Sequence, residues 1–269
     1  GRFLYERRDY QFASQRLLAS LSGDTPPPFA PEAGFLLSKC YQKLASRARL
    51  EGQRGKADEY LLLALSAHRD VVSNFQESEW GDDAALGLIG AELSDLEPDT
   101  TRAVRMLEAY QGFQETYPKS DRLDAALLGT AEGHFLLGET DASHYGKALK
   151  AYRDLTERFP QSPHLEQAHY GIGLCLARSG DYIEAEEALR DFLFTFPQSS
   201  LADHARFQLG RILLDRGYHR SAAEEFSELL NAPSTLLLGR SSRTLLAECY
   251  FRSGDYEKAI EIDSALLLK

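Results

Sequence analysis

The strongest constraint on this chain is a short phrase that recurs along it: an aromatic residue, proline, a variable residue, then serine. It appears as Tyr117-Pro118-Lys119-Ser120, Phe159-Pro160-Gln161-Ser162 and Phe196-Pro197-Gln198-Ser199, and Phe75-Gln76-Glu77-Ser78 lacks only the proline. The prolines lie 42 and 37 residues apart. Each phrase closes an apolar helical stripe: proline forbids continuation, and serine can cap the next helix. A period of this length means a repeated helical unit, which sets the fold before any single motif is weighed.

Aligning the chain on these stops exposes a second regularity. A small residue recurs in the first helix of each unit, at Ser38, Gly90, Ala131, Gly173, Gly210 and Ala247. In the second helix a small residue is followed four positions later by a bulky one, as in Ala64 and His68, Ala148 and Tyr152, Ala185 and Leu189, and Ala222 and Phe226. One small and one large site per helix let two helices approach closely. The turns inside the units carry Gly180-Asp181-Tyr182, Arg216-Gly217-Tyr218 and Gly254-Asp255-Tyr256, where glycine supplies the positive φ of a helix C-terminus.

These features resemble the tetratricopeptide repeat (TPR) family, on Ile172-Gly173, Leu209-Gly210, Ala148 to Tyr152, Ala222 to Phe226 and the closing Pro160. The resemblance implies an all-α, right-handed α-solenoid of tetratricopeptide-like helical hairpins, about seven units with truncated ends. The expected divisions of this single solenoid are a partial unit over 1–24, an enlarged hairpin over 31–78, full units over 79–120, 121–162, 163–199 and 200–235, and a final incomplete unit over 236–269. Gly1-Arg2-Phe3-Leu4 aligns with Gly210-Arg211-Ile212-Leu213, so a longer parent protein is expected.

The departures from regularity are informative. Pro26-Pro27-Pro28 falls where the first unit should end and reads as a connector, with a polyproline ligand as the alternative. Ser38 to Gly90 spans 52 residues, so about seven extra residues per helix should project that hairpin by roughly 10 Å. Its tip carries Lys43, Arg47, Arg49, Arg54 and Lys56 against Glu51, a basic knob on a chain of net charge −11. Such a knob could steer an acidic partner or touch anionic lipid. Residues 138–147 lengthen another turn, and Trp80 is expected to pack between units.

Several functions are excluded or disfavoured. The acidic balance repels phosphate backbones, so nucleic acid is not expected as partner. The short apolar runs cannot span a bilayer, leaving membrane association through a missing terminus or a partner. Cys40, Cys175 and Cys249 share one repeat position and are expected to be free and buried, because sites two repeats apart are too distant for a disulfide. His164 and His169 form no metal pattern, and Gly171-Ile172-Gly173 lacks the strand of a dinucleotide site. We expect no enzyme, cofactor or metal.

Within the family, first helices line the concave surface. That analogy assigns the groove to Lys39, Tyr170, Arg178, Phe207, Arg211 and Arg252. The paired helix asparagines of chaperone-binding members are absent, since only Asn74 and Asn231 occur, both at the ends of second helices. The stretch from Ala151 to Leu213 is similar to bacterial envelope TPR proteins of the BamD and YbgF type. This implies a protein–protein interaction scaffold of the periplasm, associated with outer-membrane assembly or secretion. The alternatives are a cytoplasmic location, a peptide-binding adaptor using the concave groove, or a regulatory region of a larger protein.

Overall fold

The computed structural model describes residues 1–23, 25–94, 97, 99–231 and 238–267. Among them are helices and no strands. Two compact units divide the chain, 1–126 and 127–269. The first holds α1 (Arg2–Glu6), α2 (Tyr10–Leu21), α3 (Ala30–Leu50), α4 (Arg54–Asn74), α5 (Gly81–Ser94) and α6 (Thr100–Thr116). Helix α7 (Leu123–Gly138) begins in the first and continues into the second, which adds α8 (Ser143–Arg158), α9 (Leu165–Ser179), α10 (Tyr182–Thr195), α11 (Ala202–Asp215), α12 (His219–Asn231), α13 (Gly239–Arg252) and α14 (Tyr256–Leu267). Within each unit consecutive helices pack as stacked hairpins, the architecture of a helical solenoid.

Two kinds of turn alternate, each dictated by local chemistry. At the hairpin turns the last helical carbonyls are satisfied by a Schellman motif. The amide of Asp181 bonds to the Leu176 carbonyl at 3.0 Å, Tyr218 to Leu213 at 2.8 Å and Asp255 to Tyr250 at 2.9 Å. Gly180, Gly217 and Gly254 occupy the left-handed position, with φ of 87°, 83° and 84°. Gly52 does the same at the tip of α3 and α4, with φ 74°.

At the turns between hairpins, Phe75, Tyr117, Phe159 and Phe196 are the residues just past a helix, with φ between −139° and −123°. Each aromatic carbonyl accepts the amide of the serine three residues on, at 3.0–3.1 Å. The serine hydroxyl then does two jobs. Oγ of Ser120 accepts the Arg122 amide and donates to Asp82 at 2.6 Å, and Oγ of Ser199 accepts the Leu201 amide and donates to Glu166 at 2.7 Å. Both carboxylates lie in the first turn of the preceding hairpin's first helix, so the serine starts its own helix and latches that helix to its neighbour.

In the first unit, Ala13, Leu17, Leu37, Cys40, Tyr41, Leu44 and Ala64 form one core cluster. Helices α3 and α4 are 21 residues each, against 14 for α5 and 17 for α6, so the α3–α4 hairpin is the longer in both of its helices. Pro31 sits in the first turn of α3, which confines the connector after the triple proline to residues before Ala30. Trp80 packs on Phe35 with ring centroids 5.3 Å apart, joining successive hairpins.

In the second unit, Leu189, Phe192, Leu209, Leu213 and Phe226 are fully or almost fully buried in one cluster, and Tyr152, Leu155 and Cys175 anchor another. Of the residues expected to lengthen the turn after α7, 139–142 form that turn, while Gly138 closes α7 and 143–147 open α8. Helix α7 runs to Gly138, α8 starts at Ser143, and Nδ1 of His134 lies 2.9 Å from Nδ1 of His144 across the hairpin.

Candidate interaction groove

The first unit carries a groove of about 620 Å³. One wall is a single stripe of α3: Phe35, Lys39, Gln42, Ser46 and Arg49. Spacings of three and four residues keep these side chains on one helix face. The facing wall is α5, which offers Asp83, Leu86, Gly87, Gly90 and Ala91. Arg122 closes one end and pairs with Asp83 at 2.8 Å.

The walls differ in chemistry. Lys39 is half-buried, its ammonium 5.3 Å from the Phe35 ring centroid. Burial lowers its pKa; Asp83 works against that, and Lys43 and Arg122 add to it. Among the described residues no carboxylate lies within ion-pair distance of it, and Asp83 pairs with Arg122. The opposing α5 wall is open around Gly90, where an added Cβ would meet nothing within 4 Å.

Beneath the groove sits His68, fully buried at the bulky position of α4. Its Nδ1 lies 3.2 Å from the Ser38 hydroxyl and its Nε2 3.3 Å from the Gln42 side-chain amide. Burial, reinforced by the Lys39 charge, pushes its pKa down to about 4. A neutral imidazole can satisfy both neighbours, and a charged one would be stranded without an acid. The sequence pattern assigned the close-packing site of α5 to Gly90. The structure corrects this to Gly87, where an added Cβ would fall 2.3 Å from the His68 ring, while Gly90 turns to solvent.

The residues predicted for partner binding scatter. Of the groove set, Lys39 lines the recess in the first unit. Tyr170 and Phe207, half-buried, spend part of their surface on the core, 5.8 Å from the Phe192 ring and 5.9 Å from the Phe226 ring respectively. Arg178 pairs with Glu139 at 2.8 Å, Arg252 with Glu248 at 2.6 Å, and Arg211 is exposed. The hairpin tip divides: Lys43, Arg54 and Lys56 are exposed, Arg47 pairs with Glu51 at 2.8 Å, and Arg49 joins the groove wall. Leu50 beside them is 90% exposed.

Sequence reasoning missed Gln42, Ser46, Asp83 and Arg122. The first two continue the stripe of Phe35 and Lys39 along α3 and were open to detection by phase. Asp83 and Arg122 come from the starts of different helices and meet only through stacking. Among the described residues no group of three or more His, Cys, Asp or Glu is placed to hold a metal ion. No described helix is long and apolar enough to cross a membrane.

Comparison with known proteins agrees with this architecture. Residues 135–235 match the family model of YfiO, an outer membrane lipoprotein, and residues 207–267 match a tetratricopeptide repeat model. Among solved structures, PilW, a widely conserved type IV pilus biogenesis factor, superposes with TM-score 0.59 at 17% identity, covering 87% of this chain and 93% of its own. A tetratricopeptide repeat protein of Parabacteroides merdae gives 0.55 at 17% identity, covering 86% and 79%. A thermophilic TPR protein of Thermus thermophilus gives 0.52 at 18% identity, covering 78% and 98%. No curated protein matches the sequence significantly. The fold is that of tetratricopeptide hairpins.

Proposed function

We propose that this chain is a non-catalytic scaffold that holds other proteins within a bacterial cell-envelope assembly or secretion complex, on the periplasmic side of the outer membrane. The observation that carries the reading is the match of residues 135–235 to an outer membrane lipoprotein family. The architecture supports it: stacked hairpins present long surfaces suited to several simultaneous contacts. The cysteines are compatible with an oxidising compartment. Cys40, Cys175 and Cys249 are buried, and desolvation pushes their pKa values up to about 11, 12 and 12, which suppresses the reactive thiolate.

The test is fractionation and in-cell cross-linking of the tagged full-length protein in its source cell, followed by mass spectrometry. Recovery with the envelope fraction, cross-linked to outer-membrane or secretion components, is the expected outcome. Recovery in the cytosol without envelope partners would overturn the reading. The peptide-binding alternative is favoured by one observation, the groove containing Lys39 without a carboxylate partner among the described residues.

A further inference from the structure

We propose that the apex of the α3–α4 hairpin touches a membrane directly. In this contact Arg47, Arg49, Arg54 and Lys56 meet the headgroups of an anionic phospholipid bilayer, and Leu50 enters the boundary between headgroups and acyl chains. The proposal goes beyond the scaffold reading and stands on the hairpin alone.

Leu50 serves no purpose internal to the fold. It lies two residues before the left-handed Gly52, and the same position before Gly180, Gly217 and Gly254 holds Arg178, Asp215 and Arg252. Those charged residues suit a turn that faces water; Leu50 is a leucine there and is 90% exposed. The turn closes without it, since the Gln53 amide bonds to the Ala48 carbonyl at 2.8 Å in the Schellman manner. Ala48 and Ala57 are the buried residues nearest the turn, and every residue from Arg49 to Lys56 is exposed. A Cβ added to Gly52 or Gly55 would meet nothing within 4 Å. The apex is therefore open, and its turn is hydrogen-bonded before any ligand arrives, so little ordering entropy is lost on contact.

The cations are as local as the leucine. Over residues 47–56, Arg47, Arg49, Arg54 and Lys56 against Glu51 leave a net +3, on a chain of −11. The corresponding ten residues at the Gly180, Gly217 and Gly254 turns carry −1, +1 and 0. Glu51 is held by Arg47 at 2.8 Å, and among the described residues Arg49, Arg54 and Lys56 have no ion-pair partner. Arg47 and Arg49 stand in the last turn of α3, where cations suit the negative end of the helix dipole. Arg54 and Lys56 have the opposite relation. They stand in the first turn of α4, at its positive end, where a helix gains from acids and this one has none. Helix stability does not account for them; attraction to an anionic surface does.

Shape selects a bilayer over a folded protein. A convex turn with one leucine falls well short of the roughly 800 Å² per partner that a stable protein interface buries. A fluid bilayer moulds around such an apex. Each cation near the surface is worth about a fivefold gain in partition, and the leucine about tenfold. Contacts of this size orient a molecule against a membrane reversibly and do not anchor it.

The experiment is co-sedimentation of the whole chain with vesicles of equimolar phosphatidylglycerol and phosphatidylcholine, compared with vesicles of phosphatidylcholine alone. Saturable partition onto the anionic vesicles is expected, weakened by salt and absent from the neutral ones. The double variant Arg54→Glu, Lys56→Glu turns the apex from +3 to −1 and should abolish it. Leu50→Ser should weaken it about tenfold, and Leu50→Trp should restore it, with added fluorescence that shifts to the blue on the vesicles. Leu62 is the internal control: it is 68% exposed on α4, but eight residues beyond Arg54, or about 12 Å from the apex, so Leu62→Ser should change nothing. All these positions are exposed, and unchanged helical circular dichroism will register that each variant folds. Four results would overturn the proposal: no partition onto anionic vesicles; equal partition onto neutral ones; full binding by the charge-reversed variant; or losses in Leu50→Ser no larger than in Leu62→Ser. Binding of soluble polyglutamate without vesicle partition would likewise overturn it, by assigning the apex to an acidic protein. The assay is indifferent to compartment and to protein partners, so its failure is separable from failure of the envelope reading.

Discussion

The α4–α5 contact in the first unit joins two successive hairpins and the α11–α12 contact in the second closes a single hairpin, and the two set the bulky repeat position over a glycine with different chemistry. In the second, Phe226 is fully buried against Gly210, whose missing Cβ would fall 2.8 Å from the ring. In the first, His68 fills the bulky site against Gly87 and is held by Ser38 and Gln42. Both solve the steric problem by placing a ring over a glycine. The α11–α12 contact does so with apolar surface alone, so that contact is indifferent to pH. The α4–α5 contact makes its packing conditional on a neutral imidazole, and Gln42, one of the two residues that keep His68 satisfied, also lines the groove.

The largest effect should come from the apolar version. Phe226→Ala removes a fully buried ring and should cost about 3 to 5 kcal/mol. Helical circular dichroism during urea unfolding would register it. Trp80 is the single tryptophan and lies in the first unit, so its fluorescence reads that unit separately. A Trp80 transition shifted as far as the helical signal would break the contrast between the regions.

The polar version should respond to acid. The folded pKa of His68, about 4, lies below the ordinary 6.5, so the unfolded chain takes up the proton first. Stability present above pH 6.5 is therefore lost as pH falls toward 4, by roughly 3 kcal/mol from this group at the low end. His68→Leu, which installs the side chain found at the equivalent Leu17 and Leu189, should flatten the pH dependence of the Trp80 transition. His134 and His169, also held below their usual range by burial, would leave a residual slope in the helical signal. An unchanged Trp80 profile would mean that His68 is not the group that titrates.

Two glycines at one repeat position sharpen the contrast with opposite signs. Gly210→Ala should destabilise by about 1 to 3 kcal/mol, because Phe226 has no room to retreat. Gly90→Ala meets open space and should stabilise α5 by roughly 0.5 to 1 kcal/mol through helix propensity alone. Equal signs in thermal melts would show that the repeat position, rather than its surroundings, sets the cost.

That pair also marks where the sequence stops being legible. The turns could be read because they are local: an aromatic, a proline and a serine within four residues define one hydrogen-bonded geometry. The hairpins could be read because small and bulky residues four apart must face the same way. Which of Gly87 and Gly90 meets the neighbour depends on how α5 is rotated, which is fixed by Trp80 and Phe35 packing across hairpins. The groove was half visible for the same reason. Lys39 followed from helical phase, whereas the Asp83–Arg122 pair beside it joins residues 39 apart. Arg49 read as part of the tip until the length of α3 put it on the wall.

The smallest predicted effect tests the turn motif where the first unit breaks its own rule. After α1, the Arg8 amide bonds to the Tyr5 carbonyl at 2.9 Å and the Asp9 amide to the Leu4 carbonyl at 3.0 Å, the same Schellman pattern that Gly217 and Gly254 complete. Here the left-handed residue is Arg8, with φ 62°. A side chain in that conformation costs about 1 to 2 kcal/mol, and glycine returns part of the gain as extra freedom in the unfolded chain. Arg8→Gly should therefore stabilise by about 0.5 to 1 kcal/mol, with slower hydrogen exchange concentrated in α1 and α2, while Gly217→Ala should cost about 1 kcal/mol in the second unit. Faster exchange in Arg8→Gly would mean that the arginine side chain makes a contribution larger than the strain it imposes.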